Sequence, residues 1–276
     1  MFWNARNGTL EIDGGTTDYI AFGNGKHPLI IIPGLSDGLR TVKGTAVPFS
    51  VSYRIFARRY RVFVFSRRND MPKHYSTREM AADIYKAMVR LGIRRADVIG
   101  VSMGGMIAQY LAIDHPECVH KLVLAVTLSK PNDTIRRLEK LWTVMAEDGN
   151  YRVLMIDTAH RSYTEEYLKR NGNLIKLSSK IGKPDDFSRF ITMTHACGSH
   201  NAYDQLHKIK CPTLIIGGNK DNIVTGQASA EIAERINNST LFMYEQYGHA
   251  LYEEASDFNE RIMDFLTERT QKNPCS

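Results

Sequence analysis

The chain has 276 residues, of which 43% are hydrophobic and 24% are charged, which is the composition of a soluble globular protein with a large core. Its 36 basic residues barely exceed its 30 acidic ones and are scattered along the chain, which argues against a nucleic-acid-binding stripe. No apolar run reaches the roughly 18 residues of a membrane span, and the N-terminus does not resemble a secretion signal, so we expect a cytoplasmic protein without a membrane partner.

Four cysteines are present: Cys118, Cys197, Cys211 and Cys275. Their spacing matches neither a disulfide framework nor a metal-ligand motif, so we expect free thiols in a reducing compartment. His195 and His200 lie close to one of these cysteines, but the sequence offers no further ligand candidate beside them. We therefore expect neither a metal nor another cofactor.

The N-terminal part of the chain begins with a hairpin pattern. Residues 9–13 and 17–22 have strand character and are joined through Gly14-Gly15. Residues 28–32 are nearly all apolar and β-branched, as expected for a strand buried on both faces. This strand pattern ends at the loop Pro33-Gly34-Leu35.

A helix, a strand and a second helix are predicted next. Residues 50–60 have a mixed helical pattern, and residues 61–65 form an apolar strand pattern. Residues 77–91 repeat apolar side chains at helical spacing. Thr77 is the expected N-cap of this helix, and Gly92 is its expected stop.

The stretch from residue 97 to residue 113 is the most informative one. An apolar run short enough for a buried strand ends at Ser102, and an apolar segment of helical length begins directly after it. A serine at such a sharp turn adopts an unfavourable backbone conformation, and side chains two positions away on either side would collide. Gly100 and Gly104 are therefore the residues that this geometry requires.

The pattern Gly-x-Ser-x-Gly at residues 100–104 resembles the nucleophile elbow of the α/β hydrolases. The resemblance extends over nearly the whole chain, through the loop at residues 33–38, residues 211–217 with Asp221, and Tyr247-Gly248-His249. It implies an α/β fold with a mostly parallel, doubly wound sheet of about eight strands. Residues 66–71 depart from the family pattern, because they lack the two glycines that relatives often carry there.

A sixth strand pattern, at residues 121–126, is followed by a long region without strand character. Amphipathic helical patterns occupy residues 135–145, 151–160, 165–170 and 187–195. Because a helical insertion between two strands is typical of a cap over an active site, we predict a core of residues 1–126 and 208–276 and a helical cap of residues 127–207, inserted after the sixth strand. Substrate-binding candidates in the cap are Trp142, Met145 and His195.

The sheet pattern resumes at residues 212–217, and Asp221 follows this strand by four positions. A helix at residues 228–236 and a last strand at residues 240–244 precede His249, and a final helix is predicted at residues 257–267. Asp221 and His249 thus each follow a predicted strand at its carboxyl end. That is the edge at which doubly wound sheets place their ligands.

The order Ser102, Asp221, His249 along the chain is that of α/β-hydrolase triads. Serine is a poor nucleophile at neutral pH, so a histidine within hydrogen-bond reach has to remove its proton and return it to the leaving group. An acid then holds the imidazole in the correct tautomer. We predict Asp221 in that role and keep Asp133, which follows the preceding strand, as an alternative.

The resemblance also implies an oxyanion hole, formed by backbone N–H groups that hold the negative charge of the transition state. In this fold, one donor lies in the loop after the first buried strand, and the other follows the nucleophile. By position these are the N–H groups of Leu35 and Met103. Many relatives carry His-Gly where this chain has Pro33-Gly34.

These predictions point to a cofactor-independent serine hydrolase that cleaves a small carboxylic ester, thioester or lactone through an acyl-enzyme. Two alternatives remain open: a carbon–carbon bond hydrolase of a dioxo acid with the same triad, and a hydrolase-fold ligand sensor with little turnover. The expected partner is a small-molecule acyl substrate. No nucleic-acid partner is expected, and a homodimer is left open.

Overall fold

A computed structural model describes residues 3–268, apart from the side chain of Ser178, so Cys275 lies outside the described residues. The strands are Arg6–Ile12 (β1), Gly15–Phe22 (β2), His27–Ile32 (β3), Tyr60–Arg68 (β4), Ala96–Val101 (β5), Val119–Ala125 (β6), Thr213–Gly218 (β7) and Ser239–Tyr244 (β8). They form one sheet in the order β1-β2-β4-β3-β5-β6-β7-β8.

The sheet is mostly parallel. β2 pairs antiparallel with β1 and β4, whereas the neighbours from β4 through β3 to β8 are paired parallel. The central strands β3, β5 and β6 are apolar along most of their length because helices cover both faces of the sheet. The predicted α/β fold with a mostly parallel sheet of eight strands is confirmed.

The helices alternate with the strands. The α-helices of the described residues are Ala46–Ser52 (α1), Arg54–Ala57 (α2), Thr77–Arg90 (α3), Met103–Asp114 (α4), Asp133–Glu147 (α5), Tyr151–Ser162 (α6), Glu165–Ser178 (α7), Ser188–Ser199 (α8), Gly226–Ala233 (α9), Leu251–Glu254 (α10) and Phe258–Thr267 (α11). Short 3-10 helices cover Leu35–Gly38, Pro116–Cys118 and Tyr203–Lys208. None of these helices is long and apolar enough to cross a membrane.

Two hydrophobic cores lie on opposite faces of the sheet, because successive side chains of a strand point to opposite sides. Ile30 of β3 belongs to the core that contains Met80 of α3 and Met106 of α4. Its neighbour Ile31 belongs to the core that contains Phe258 of α11. The sheet is thus enclosed by helices, which leaves the loops at the carboxyl ends of its strands for a site.

Helices α5 to α8 lie between β6 and β7, so the helical cap after the sixth strand is confirmed. Within the cap, α5 packs against α8 and α6 packs against both α5 and α7. Helix α8 also packs against the 3-10 helix that follows β3. The division into a core of residues 1–126 and 208–276 and a cap of residues 127–207 stays a proposal.

Ser76, not Thr77, caps helix α3, so the predicted cap is wrong. The hydroxyl of Ser76 accepts the N–H of Glu79 at 3.2 Å, and the carboxylate of Glu79 accepts the N–H of Ser76 at 2.7 Å. This reciprocal capping box satisfies two N–H groups that the helix leaves free. Thr77 is instead the first helical residue, and its buried hydroxyl lies 2.8 Å from Nδ1 of His200.

Several element boundaries also differ from the prediction. Strand β4 extends to Arg68, because contacts with the loop after β3 continue past its predicted end at residue 65. The helix predicted at residues 50–60 begins earlier, at Ala46, and breaks at Tyr53 into α1 and α2. Helix α7 continues to Ser178, well past residue 170.

Candidate active site

Ser102 occupies the turn between β5 and α4. Its backbone has φ 54° and ψ −121°, a strained conformation for a residue with a side chain. Two hydrogen bonds hold it there: its N–H donates to the carbonyl of Ala125 at 2.9 Å, and the Thr127 hydroxyl donates to its carbonyl at 2.8 Å. The turn is therefore tied to the neighbouring strand β6 and presents the serine side chain at the edge of the sheet.

The two glycines around Ser102 are required by close backbone packing. A Cβ on Gly104 would lie 1.9 Å from the carbonyl oxygen of Ile32, and a Cβ on Gly100 would lie 2.5 Å from the carbonyl oxygen of Gly104. Distances this short leave no room for a side chain. The sequence-based explanation of the Gly-x-Ser-x-Gly pattern agrees with this packing.

The three side chains predicted as a triad converge. His249, in the loop between β8 and α10, places Nε2 2.9 Å from Oγ of Ser102 and Nδ1 2.8 Å from Oδ2 of Asp221. The other carboxylate oxygen of Asp221 accepts the N–H groups of Ile223 at 2.8 Å and Val224 at 2.9 Å. Both the imidazole and the carboxylate are buried, so they are held in place and largely shielded from water.

Asp133, the alternative acid, lies elsewhere. It opens helix α5 with a side chain that is 93% exposed, and its nearest ionic partner is Arg136 at 3.8 Å. It makes no contact with His249, whose Nδ1 faces Asp221. Of the two candidate acids, the structure places Asp221 at the histidine.

The two predicted oxyanion donors belong to segments that meet at Ser102. Leu35 opens the 3-10 helix after β3, and Met103 opens α4. The first N–H groups of a helix have no acceptor within that helix, which suits such groups to bind a ligand oxygen. The role of these two N–H groups as an oxyanion hole stays a prediction. A Cβ on Gly34 would lie 3.3 Å from Cβ of Ser102, which shows that the loop passes directly beside the serine.

A buried ionic network supports this loop from behind. Asp37 accepts the N–H of Arg67 at 2.9 Å and the guanidinium of Arg189, on cap helix α8, at 2.7 Å. The guanidinium of Arg67 is buried, which lowers its pKa, and it donates to the carbonyls of Pro33 and Phe65. The network therefore joins the loop beside Ser102 to β4 and to the cap.

A cavity of about 760 Å³ includes Ser102 and His249 in its wall. Core loops, helix α1 and all four cap helices contribute to the wall, which is mostly apolar and aromatic. Concave sites of this kind, with a few convergent polar groups, are typical of small-molecule binding.

The sequence profile of the alpha/beta hydrolase fold family matches residues 27–256. The chain belongs to this family. Solved structures agree with the fold: the enol-lactonase from Burkholderia xenovorans superposes with a TM-score of 0.80 at 20% identity, covering 95% of this chain and 100% of that structure.

Curated relatives of this α/β hydrolase are named as hydrolases. A 2-hydroxy-6-oxononadienedioate/2-hydroxy-6-oxononatrienedioate hydrolase from a Pseudomonas species is 30% identical over 190 residues, which is 65% of each chain. A putative carbamate hydrolase, RutD, from Pseudomonas savastanoi pv. phaseolicola is 26% identical over 204 residues, covering 73% of this chain and 79% of the relative. At this general level, the prediction of a hydrolase enzyme is confirmed.

Of the three cap residues predicted to bind substrate, the structure places Trp142 in the cavity wall. Its indole N–H donates to Asp157 at 2.8 Å, which fixes the ring between α5 and α6. The sequence pattern alone did not distinguish this residue from an ordinary core tryptophan, because helical spacing is the same in both cases.

The structure does not place Met145 or His195 in the cavity wall. Met145 is partly buried and packs against the main core, although it lies less than one helical turn from Trp142 on α5. The side chain of His195 is 54% exposed and lies 2.9 Å from Glu139. The predicted role of these two residues in substrate binding is not supported by the cavity wall and stays a prediction.

Sequence reasoning missed most of the polar residues of the cavity. Glu139 lies in the cap wall, and Tyr53, Tyr252 and Glu253 lie in the core wall. The last two follow His249 by three and four residues, about one helical turn, so their proximity to the site was open to prediction. Tyr53 and Glu139 carry no comparable signal, because their positions depend on tertiary packing.

Proposed function

We propose that this hydrolase cleaves a small carboxylic ester, thioester or lactone through an acyl-enzyme on Ser102. The observation that carries the proposal is the pair of contacts of His249, 2.9 Å to Ser102 and 2.8 Å to Asp221. These are the contacts expected of a base that activates a hydroxyl nucleophile and is itself oriented by a carboxylate. The cytoplasmic location and the small-molecule acyl partner remain parts of the same proposal.

In the proposed reaction, Oγ of Ser102 attacks the substrate carbonyl while Nε2 of His249 takes its proton. Asp221 keeps the proton of the imidazole on Nδ1 and stabilises the imidazolium that forms. The N–H groups of Leu35 and Met103 hold the oxyanion of the tetrahedral intermediate. His249 then protonates the leaving group, and a water molecule, activated by the same base, releases the acyl group.

The first test is the Ser102→Ala variant, assayed with short p-nitrophenyl esters and with a fluorophosphonate label. We expect turnover to fall by about a thousandfold or more and the label to be lost, because the nucleophile is absent while the fold is kept. Ser129→Ala is a matched control, since Ser129 is a buried serine outside the triad and should retain activity. Undiminished activity of Ser102→Ala would overturn the proposal.

A carbon–carbon bond hydrolase is the second candidate function. It is favoured by the curated relative named for oxononadienedioate substrates, which are dicarboxylates. The same triad is compatible with that chemistry, so the site alone does not separate the two. A substrate panel compares esters with a vinylogous diketone acid at equal enzyme concentration. A larger kcat/KM for the esters supports ester hydrolysis, and a larger kcat/KM for the diketone acid supports carbon–carbon bond hydrolysis.

A ligand sensor with the same fold is the alternative from a different class. It predicts that a ligand raises the melting temperature of the purified protein without being consumed. The ester hydrolase predicts consumption of the stabilising compound, which a product assay in the same sample detects.

A further inference from the structure

The cavity wall is acidic, although the chain as a whole carries a net charge of +6. Its charged side chains are Glu139 and Glu253, and among the described wall residues there is no lysine or arginine. Glu139 lies beside His195 at 2.9 Å. A free carboxylate on a substrate would therefore meet like charge and no arginine or lysine partner inside this cavity.

Glu253 and four aromatic residues form one part of the cavity wall. Glu253 lies on α10 and is exposed, and one of its oxygens accepts the hydroxyl of Tyr163 at 2.6 Å. The aromatic members of the wall here are Phe49, Tyr53, Tyr167 and Tyr252. We call these four residues and Glu253 the outer aromatic site.

Three of the four rings of the outer aromatic site are stacked on another ring. Phe49 and Tyr53 stack with ring centroids 5.5 Å apart, and Tyr163 and Tyr167 stack at 4.4 Å. Burial, and then the charge of Glu253, raise the pKa of Tyr53 to about 12. Neutral aromatic faces next to a carboxylate are the surroundings that attract an organic cation.

The two arginines of the ionic network beside Ser102 are already paired. Arg189 is held by Asp37 and by main-chain carbonyls, and Arg67 is buried against the carbonyls of Pro33 and Phe65. Neither is part of the cavity wall. They support the loop beside Ser102, whereas the carboxylate of Glu253 accepts the hydroxyl of a tyrosine, Tyr163.

We propose that the outer aromatic site binds a cationic group of the substrate, such as a substituted ammonium, and that the cavity disfavours substrates with a free carboxylate. This inference rests on the proposed ester hydrolysis at Ser102 and names its substrate class. It also separates this enzyme from the relative that is named for a dicarboxylate.

The test compares esters that differ only in charge. One series carries the charge on the acyl group: p-nitrophenyl 4-(trimethylammonio)butanoate, its neutral isostere p-nitrophenyl 5,5-dimethylhexanoate, and the p-nitrophenyl monoester of glutaric acid. A second series carries it on the alcohol: 2-(trimethylammonio)ethyl butanoate against 3,3-dimethylbutyl butanoate. In at least one series, we expect the cationic ester to exceed its neutral isostere in kcat/KM by about tenfold, and the anionic ester to be the poorest substrate of the acyl series.

The Glu253→Gln variant should bring the ratio of cationic to neutral ester close to one while the neutral ester is still cleaved. Glu260→Gln is the matched control, because it removes the same charge from an exposed residue of α11 that is not part of the cavity wall. The binding affinity of the Ser102→Ala variant for the intact esters gives a second readout that needs no turnover. We expect the same tenfold preference in its Kd values.

The possible results are distinguishable. Cleavage of neutral and cationic esters at ratios below threefold in both series overturns this inference and leaves the proposed ester hydrolysis intact. If Glu253→Gln keeps the preference for cationic esters, the cationic group binds elsewhere, and this result also overturns the inference. If no ester is cleaved and Ser102 is not labelled, the proposed function fails, and equal Kd values for cationic and neutral esters in Ser102→Ala then reject the cation site independently.

Discussion

Ser102 and its two glycines illustrate how far a local pattern constrains single residues. The positive φ of the serine and the lack of space at positions 100 and 104 follow from one sharp turn, so a short pattern was enough to predict all three. His200 is the opposite case. In the sequence it lies close to His195 and Cys197. In the structure it is buried, with one ring nitrogen beside the hydroxyl of Thr77 and the other beside the side chain of Gln109.

His200 makes the stability of the protein dependent on pH. Burial lowers its pKa from 6.5 to about 3, so as the pH falls the unfolded chain takes up the proton before the folded chain does. The contribution of the neutral His200 to stability is therefore complete at pH values above its pKa in the unfolded chain. It is lost as the pH falls toward its pKa in the folded protein. From pH 7 to pH 5 we expect a loss of about 2 kcal/mol from this residue alone.

Urea unfolding of wild type and His200→Gln at pH 7 and pH 5 measures this effect. The variant is expected to be less stable at pH 7 but to lose less of its unfolding free energy on acidification. His207→Gln serves as the control, because that histidine is exposed and should leave the pH dependence unchanged. An equal loss in wild type and His200→Gln would contradict the prediction.

At the scale of elements, the contact between α8 and the 3-10 helix after β3 connects the cap to the candidate oxyanion loop. The ion pair between Arg189 and Asp37 lies in this contact, and the side chain of Asp37 is 1% exposed. The second oxygen of Asp37 has no hydrogen-bond partner within residues 3–268. Loss of Arg189 would therefore take away the ion-pair partner of a buried carboxylate and leave it with the N–H and the nearby charge of Arg67.

Arg189→Gln is expected to lower the unfolding free energy by about 3 kcal/mol, because breaking one side of a buried pair leaves an uncompensated charge. We also expect a lower kcat on a neutral ester, since the loop that contains Leu35 loses its support. Urea unfolding and steady-state kinetics measure the two effects. Arg170→Gln is the matched control: its pair with Glu166 has side chains that are 76% and 74% exposed, and its loss should cost less than about 1 kcal/mol.

At the scale of the whole molecule, cap and core share one hydrophobic cluster. Ile135 and Phe190 of the cap belong to the same buried cluster as Met106 and Ile107 of α4. Hydrogen bonds add to this connection, such as that from Ala250, next to His249, to the carbonyl of Ser162 at the end of α6. We therefore propose that the cap of residues 127–207 unfolds together with the core.

The two tryptophans of the chain report on the two parts separately. Trp3 packs against the core cluster that contains α11, and Trp142 lies in the cap. Trp142→Phe leaves only the fluorescence of Trp3, and Trp3→Phe leaves only that of Trp142. In each variant we expect the fluorescence and the circular dichroism to change at the same urea concentration, as for a single cooperative transition. A fluorescence transition of Trp142 at clearly lower urea would show that the cap unfolds on its own.

The local pattern of the sequence determined the type and order of most elements, because apolar periodicity and glycine positions depend on neighbours in the chain. It also determined that Ser102, Asp221 and His249 lie close together, since each follows a strand whose carboxyl end has to lie at the same edge of a parallel sheet. The boundaries of α1, α2 and β4 were less accurate, because contacts with distant loops decide where these elements end.

Only the tertiary structure decided which side chains enter the cavity. Trp142, Met145 and His195 look alike in a helical pattern, yet packing turned the first toward the cavity, the second into the core and the third toward solvent. The pairing of Asp37 with Arg189, and the meeting of Tyr53 with Glu253, join residues far apart in the chain. Such contacts depend on how helices rotate against a sheet, and no short stretch of sequence contains that information.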